Sequence, residues 1–191
     1  TSNIKKLSEL RGRKISLGAR ETAGRSMMEA LIGAYRVLIP GFNEVQELSV
    51  TQQTSLLCEN DIESAVYAVG SPSATLSMLT SKCLVSFLPV IGSIVDQLVK
   101  DNTYYKKAYI PGGIYRGIDK DVPTFGVSAT LVTRLDVSDK IVLNIIKKIN
   151  ENVDFFRSLH PALNWFNAKH MLDDGLSAPL HPAVQSYYVN K

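Results

Sequence analysis

The apolar and polar positions of this chain fall into two rhythms, and the change from one to the other divides it. Residues 14–17 form a short strand pattern, and residues 18–26 a loop running into a helix. That helix repeats its apolar face at Met28, Leu31, Tyr35 and Leu38, in steps of three and four, until Pro40-Gly41 stops it. Residues 45–50 predict a second strand and residues 51–58 a short helix opening on Thr51. Residues 62–69, apolar apart from Glu63 and Ser64, predict a third strand. After Gly70-Ser71-Pro72 comes a helix capped by Ser71 or Ser73, then a fourth strand at 84–88 and a helix through 91–99. Strands alternating with helices are the grammar of parallel strands joined by crossover helices, an α/β fold.

From Tyr104 the rhythm changes. Pro111-Gly112-Gly113, Gly117 and Pro123 punctuate a passage that leads into a long apolar strand pattern over residues 124–133. Gly-Pro punctuation between two patterned regions suits a crossing between lobes. A helix then starts at Ser138 and carries Ile141, Val142, Ile145, Ile146 and Ile149 as a broad apolar stripe. His181-Pro182 opens a last helix that ends near Tyr188. Internal repeats and low-complexity segments do not occur.

Composition narrows the function classes. A length of 191 residues with 45% hydrophobic content supports a sizeable core in one large domain or two small lobes. Twenty-one basic against eighteen acidic residues give a net charge of +3, spread without runs longer than Lys5-Lys6, Lys106-Lys107 and Lys147-Lys148. That distribution argues against a nucleic-acid partner. The most apolar stretch, residues 83–99, is interrupted by Ser86, Pro89, Gly92, Ser93, Asp96 and Gln97, so it falls short of the roughly 20 apolar residues that span a bilayer. Cys58 and Cys83 fit no metal or redox spacing; two buried thiols are the favoured reading, with a disulfide open in an oxidising compartment.

Tyr-Ile-Pro-Gly-Gly-Ile-Tyr-Arg-Gly at 109–117, Asp-Val-Pro-Thr-Phe-Gly-Val at 121–127 and Leu-Val-Thr-Arg-Leu-Asp-Val-Ser-Asp-Lys-Ile-Val at 131–142 are distinctive in combination. So is the tail, with His160-Pro161-Ala162-Leu163 and Pro179-Leu180-His181-Pro182-Ala183-Val184-Gln185-Ser186-Tyr187-Tyr188. Together they resemble the carboxy-terminal half of TAXI-type solute receptors, the extracytoplasmic binding proteins of tripartite ATP-independent periplasmic (TRAP) transporters. The similarity begins at Leu10-Arg11-Gly12-Arg13-Lys14-Ile15 and covers nearly the whole chain.

The resemblance implies a two-lobed, type II periplasmic-binding-protein fold. Residues 1–110 would form the second, ligand-binding lobe, residues 111–123 the inter-lobe crossing, and residues 124–191 a return into the first lobe. The start Thr1-Ser2-Asn3-Ile4-Lys5-Lys6-Leu7 has no apolar signal region. The chain is therefore expected to be the rear portion of a longer receptor, with an amino-terminal segment as one partner and the TRAP permease subunits as another. The implied ligand is a small organic anion, a carboxylate or amino acid, bound in the periplasm without a cofactor.

Candidate ligand contacts follow. Gly18-Ala19-Arg20-Glu21-Thr22-Ala23-Gly24-Arg25 joins a strand to a helix start, where free backbone N–H groups and the helix dipole favour an anion. In TAXI receptors the corresponding segment reads Gly-Ala-Pro-Gly-Ser-Gly-Thr. Here Gly18 and Ala19 match, Arg20 and Glu21 replace Pro and Gly, and Thr22 takes the Ser position. Arg20 and Arg25 can each offer a bidentate contact to a carboxylate, although an arginine beside a helix start is more often a surface residue. Tyr67, Gly70 and Ser71 stand at the carboxyl end of a predicted strand, where open α/β sheets bind ligands; turn-making and capping are the plainer roles. Tyr115 can stack on a ligand and donate its hydroxyl, or simply pack at a hinge.

His160, His170 and His181 show no spacing for a metal or a catalytic pair, and two precede prolines at helix boundaries. Trp165 and Phe166 are expected core anchors. Asp173-Asp174-Gly175 reads as a turn, because a calcium loop needs further oxygen ligands at alternate positions. A nucleophile, base and orienting partner do not assemble, so an enzyme on the same fold ranks below a receptor. A surface-exposed antigen that kept the fold without transport is a further alternative.

Overall fold

The computed structural model describes residues 4–35, 44–164, 166–172, 176 and 178–189. Leu38, Pro40, Gly41, Trp165 and Asp173-Asp174-Gly175 therefore lie outside the described residues. The chain separates into two compact units, Thr1–Asn102 with Lys107–Gly126, and Thr103–Lys106 with Val127–Lys191.

The first unit is built on strands β1 (Lys14–Ser16), β2 (Glu44–Gln46) and β3 (Ser64–Ala65), in spatial order β2-β1-β3. All pairings are parallel: Ile15 stands opposite Val45 on one side and Ser64 on the other. Helices α1 (Ala23–Ala34) and α2 (Val50–Glu59) make the crossovers, which is the α/β arrangement that the alternating pattern predicts. Met28 and Leu31 are buried on α1, and Tyr35 is its C-cap. Helix α2 opens one residue earlier than Thr51, because Ser49 and Gln52 form a reciprocal capping box.

Helices α3 (Ala74–Lys82) and α4 (Ser93–Asp101) follow, then the paired strands β4 (Tyr105–Ile110) and β5 (Val122–Val127). Ser73 occupies the N-cap position of α3 without a side-chain cap bond. Leu76, Leu79, Tyr115, Ile118 and Val122 form a buried cluster, with Tyr67, Val85 and Phe87 packed against it.

Several predicted strands shrink, among them that over 45–50, which ends at Gln46. Residues 62–69 pair only at Ser64–Ala65, residues 84–88 join no ladder, and the strand expected over 124–133 ends at Val127. An apolar run states that side chains want burial, but a strand also needs a neighbour to take its backbone bonds. Val85 and Phe87 find burial against the cluster without that neighbour, and Leu131, Val132 and Leu135 remain more than two-thirds exposed.

Of the two readings open for Cys58 and Cys83, the favoured one, buried free thiols, gives way to the other: they form a disulfide, with Cα atoms 5.4 Å apart. Cys58 lies in the last turn of α2 and Cys83 is the C-cap of α3, and the packing of these two helices brings together residues that sequence spacing leaves unrelated.

The second unit contains α5 (Asp139–Glu151), α6 (Val153–Ser158) and α7 (Pro182–Val189). Helix α5 starts after Ser138 as predicted, but only part of its stripe is inside: Val142 and Ile146 pack with Ala183 and Val184 of α7, while Ile141 and Ile145 are exposed. Both His-Pro-Ala sequences use the imidazole as a cap. His160 Nδ1 accepts from the Ala162 N–H at 3.1 Å, and His181 Nδ1 from the Ala183 N–H at 3.2 Å. Among the described residues no helix is long and apolar enough to cross a membrane.

Candidate functional site

The turn between β1 and α1 is the most specific local construction in the first unit. Gly18 sits at φ 89° and Glu21 at φ 62°, so the backbone enters the left-handed region twice within four residues. Glycine tolerates that conformation, whereas a glutamate there is strained. Thr22 closes the turn: its Oγ1 donates to the Ala19 carbonyl at 2.7 Å and accepts from the Arg25 N–H at 3.3 Å, capping α1. The cap takes the third N–H of the helix and leaves those of Ala23 and Gly24 without an intrahelical partner, as at any helix start. Gly24 is buried, and a Cβ there would stand 3.4 Å from the Ala68 nitrogen, so the first turn of α1 lies close to the chain beyond β3.

The two candidate arginines share one counter-ion. Glu47, in the connection from β2 to α2, accepts from Arg20 Nε at 3.0 and 2.8 Å through its two oxygens, and from Arg25 Nη1 at 3.4 Å. Arg25 Nε also donates to Glu29 one turn along α1 at 2.5 Å. The Arg25 side chain is 19% exposed and that of Arg20 81% exposed, so Arg25 is fixed and Arg20 reaches into solvent. Arg20 uses only Nε on Glu47, which leaves its planar pair of terminal amino groups able to meet a carboxylate bidentately. Sequence spacing cannot show the role of Glu47, because its partners lie 27 and 22 residues away.

Tyr67 stands just beyond β3 with its hydroxyl 3.4 Å from Thr54 Oγ1. Burial pushes its phenol above the ordinary tyrosine range, the Thr54 hydrogen bond pulling the other way. It is therefore a neutral hydroxyl at physiological pH. Gly70 has open space where a Cβ would be, and the Ser71–Pro72 peptide is cis. Tyr115 is 3% exposed; its hydroxyl accepts the Ser73 N–H at 2.7 Å, and its ring meets Phe87 edge-on at 5.5 Å. Its place is in the cluster beneath α3, apart from the Gly18–Arg25 turn.

A cavity of about 950 Å³ also opens in this unit, lined by Met28, Leu31, Leu79, Phe87 and Phe125 among others. Tyr67 reaches it, but the Gly18–Arg25 turn does not. The cavity wall mixes these apolar side chains with polar ones such as Lys14, Asp61 and Glu63, whereas the turn offers N–H groups and a guanidinium. Among the described residues no group of three His, Cys, Asp or Glu side chains is arranged to hold a metal ion.

Comparison with known proteins gives one result of weight. The NMT1-like family model matches residues 1–191. No curated protein matches the chain.

Proposed function

Because this chain belongs to the NMT1-like family, part of the superfamily of TRAP-transporter substrate-binding proteins, we propose that it acts as a TAXI-type receptor. In this reading it captures a small organic anion and hands it to a TRAP permease. The family is a class of non-catalytic solute-binding proteins, typically periplasmic or otherwise extracytoplasmic. A disulfide between Cys58 and Cys83 agrees with an oxidising compartment. The reading assigns residues 1–110 to the ligand-binding lobe, 111–123 to the crossing and 124–191 to the return, with closure of the lobes as a hinge motion driven by ligand contacts.

The observation that carries the ligand class is the strained turn. A glutamate held at φ 62° beside a helix start is a conformation that must be supported by its surroundings, and such strain gathers where ligands are gripped. The resemblance puts a glycine, the residue best suited to a positive φ, where this chain has Glu21. The turn supplies the Ala23 and Gly24 N–H groups of the α1 start and, on Arg20, a guanidinium fork, donors that favour a carboxylate.

Calorimetry against panels of carboxylates, neutral sugars and cations tests this. Carboxylates should bind selectively, and Arg20→Ala with Arg25→Ala should weaken binding by roughly 10- to 100-fold, the range expected for lost charge-assisted bonds. Selective binding of neutral sugars or of cations would overturn it.

A further inference from the structure

Strand β3 is an edge of its sheet: β1 pairs with it on one side, and among the described residues no strand lies on the other. The Val66 N–H turns back to the Ser16 carbonyl at 3.0 Å. Backbone groups alternate in direction along a strand, so those of Ala65 and Tyr67 point away from β1, out of the sheet edge. Residues 84–88 also join no ladder, although their exposure alternates as a strand's does, with Leu84 and Ser86 exposed and Val85 and Phe87 partly buried. Both stretches line the same cavity of about 950 Å³. The second is pinned at its two ends, Cys83 by the bridge to Cys58 and Val90 by its N–H, donated to the Pro123 carbonyl at 3.0 Å. Lys14 and Asp61 of the cavity wall are exposed and Leu84 is 83% exposed, so the cavity opens to solvent.

An open strand edge is completed by main-chain donors and acceptors, which a hydrocarbon ligand lacks and an extended peptide has. With a rise of about 3.3 Å per residue, a strand spacing of about 4.8 Å and a layer spacing of about 10 Å, one buried strand residue fills roughly 160 Å³, so the cavity holds about six. This chain carries a segment of that length and character. Residues 122–133 are without charge, and Ser128-Ala129-Thr130-Leu131-Val132-Thr133 within them are small, β-branched or aliphatic, as a strand covered on both faces requires. The segment extends beyond the end of β5 and joins no ladder in its own chain, and Leu131 and Val132 are 70% and 68% exposed.

We propose that residues 128–133 of a second copy of this chain insert as an added strand along the open edge of β3, and that the exchange is reciprocal, giving a two-fold dimer. The area involved is sufficient. Six such residues expose on the order of 850 Å² as an extended chain, and with Leu131 and Val132 so open each insertion removes roughly 500 Å² from the strand and a similar area from the walls that receive it. Two insertions bury about 2,000 Å², the size of a stable dimer interface.

Sedimentation velocity over a concentration series from about 1 to 100 µM should show a monomer passing into a dimer. Leu131→Lys with Val132→Lys, both at exposed positions and so without cost to the fold, should weaken dimerisation at least about tenfold, because each charge would have to enter an apolar slot. A synthetic peptide of residues 127–134 should dissociate the parent dimer by occupying the slot. Because Cys58 and Cys83 are bonded to each other, an introduced cysteine is the chain's one free thiol. Mixing Leu84→Cys copies with Val132→Cys copies and adding a short bismaleimide should link one of each. A monomer at every concentration, or a dimer indifferent to the lysines and to the peptide, would overturn the proposal. So would a link formed within one chain when both cysteines are placed in the same copy, since that would put the segment in its own slot.

Discussion

Breaking the Cys58–Cys83 bridge should destabilise the first unit by an amount that the loop itself sets. The bridge closes a sequence separation of 25 residues. In the chain-entropy model the cost is 2.1 + 1.5R ln n in cal/mol/K, which for this loop gives about 3.5 kcal/mol at 25 °C. The closed segment contains β3, Tyr67, the Gly70-Ser71-Pro72 turn and all of α3. Both cysteines pack against the Leu76–Leu79–Tyr115 cluster, so removing the sulfurs also costs some burial. The measured loss should therefore be no smaller than about 2 kcal/mol.

Urea unfolding of Cys58→Ala with Cys83→Ala, followed by far-UV circular dichroism, reads this out. With a slope of about 2 kcal/mol/M, the midpoint should fall by roughly 1 to 2 M. The slope should also rise, because the unfolded chain is no longer held compact. Hydrogen exchange should quicken first in the segment between the two cysteines. Dithiothreitol should shift the parent protein toward the double variant and leave the variant unmoved. Two titratable thiols in the native, non-reduced protein, or a midpoint that ignores both substitution and reductant, would refute the bridge and the stability argument with it.

Tyr67 makes alkaline stability testable. Its folded-state pKa lies above the unfolded value of about 10, so its stabilisation is complete below that pH and is lost as pH rises through the folded value. Tyr67→Phe should flatten part of the loss seen above about pH 10, with a remainder from Tyr35 and Tyr105, whose phenols burial also raises; thermal melts from pH 8 to 11 would show it, and identical profiles would count against it. Glu21→Gly relieves a left-handed residue worth about 1–2 kcal/mol, offset by about 0.5–1 kcal/mol of added unfolded-state freedom. The melting temperature should therefore hold or rise by up to about 6 °C, and a clear fall would show that the Glu21 side chain contributes more than its backbone costs.

What was legible in the sequence is what local chemistry determines. Helix α5 starts after Ser138 as its apolar stripe predicts, although Ser138 makes no side-chain cap bond, and α1 opens at Ala23, inside the segment read as a loop running into a helix. Strand lengths were not legible, because a ladder depends on a neighbour remote in sequence and an apolar run such as 84–88 can be satisfied by packing alone. The disulfide escaped for the same reason: its two ends meet through the packing of α2 on α3. The imidazole caps at His160 and His181 carried a signal that could have been used, since the same His-Pro-Ala triplet stands at both helix starts.

The candidate site divides along the same line. Its near half, the Gly18–Thr22 turn and the start of α1, is written in consecutive residues and could be read directly. Its far half arrives from elsewhere: Glu47 comes from the connection after β2. Glu47 neutralises much of the charge that two arginines bring to the turn, so the field at the turn cannot be judged from Arg20 and Arg25 alone. An incoming anion gains only from donors that Glu47 and Glu29 leave unsatisfied, namely the terminal fork of Arg20 and the first N–H groups of α1. These donors point in defined directions. A site in which net charge is largely compensated discriminates by the geometry of its hydrogen bonds more than by charge.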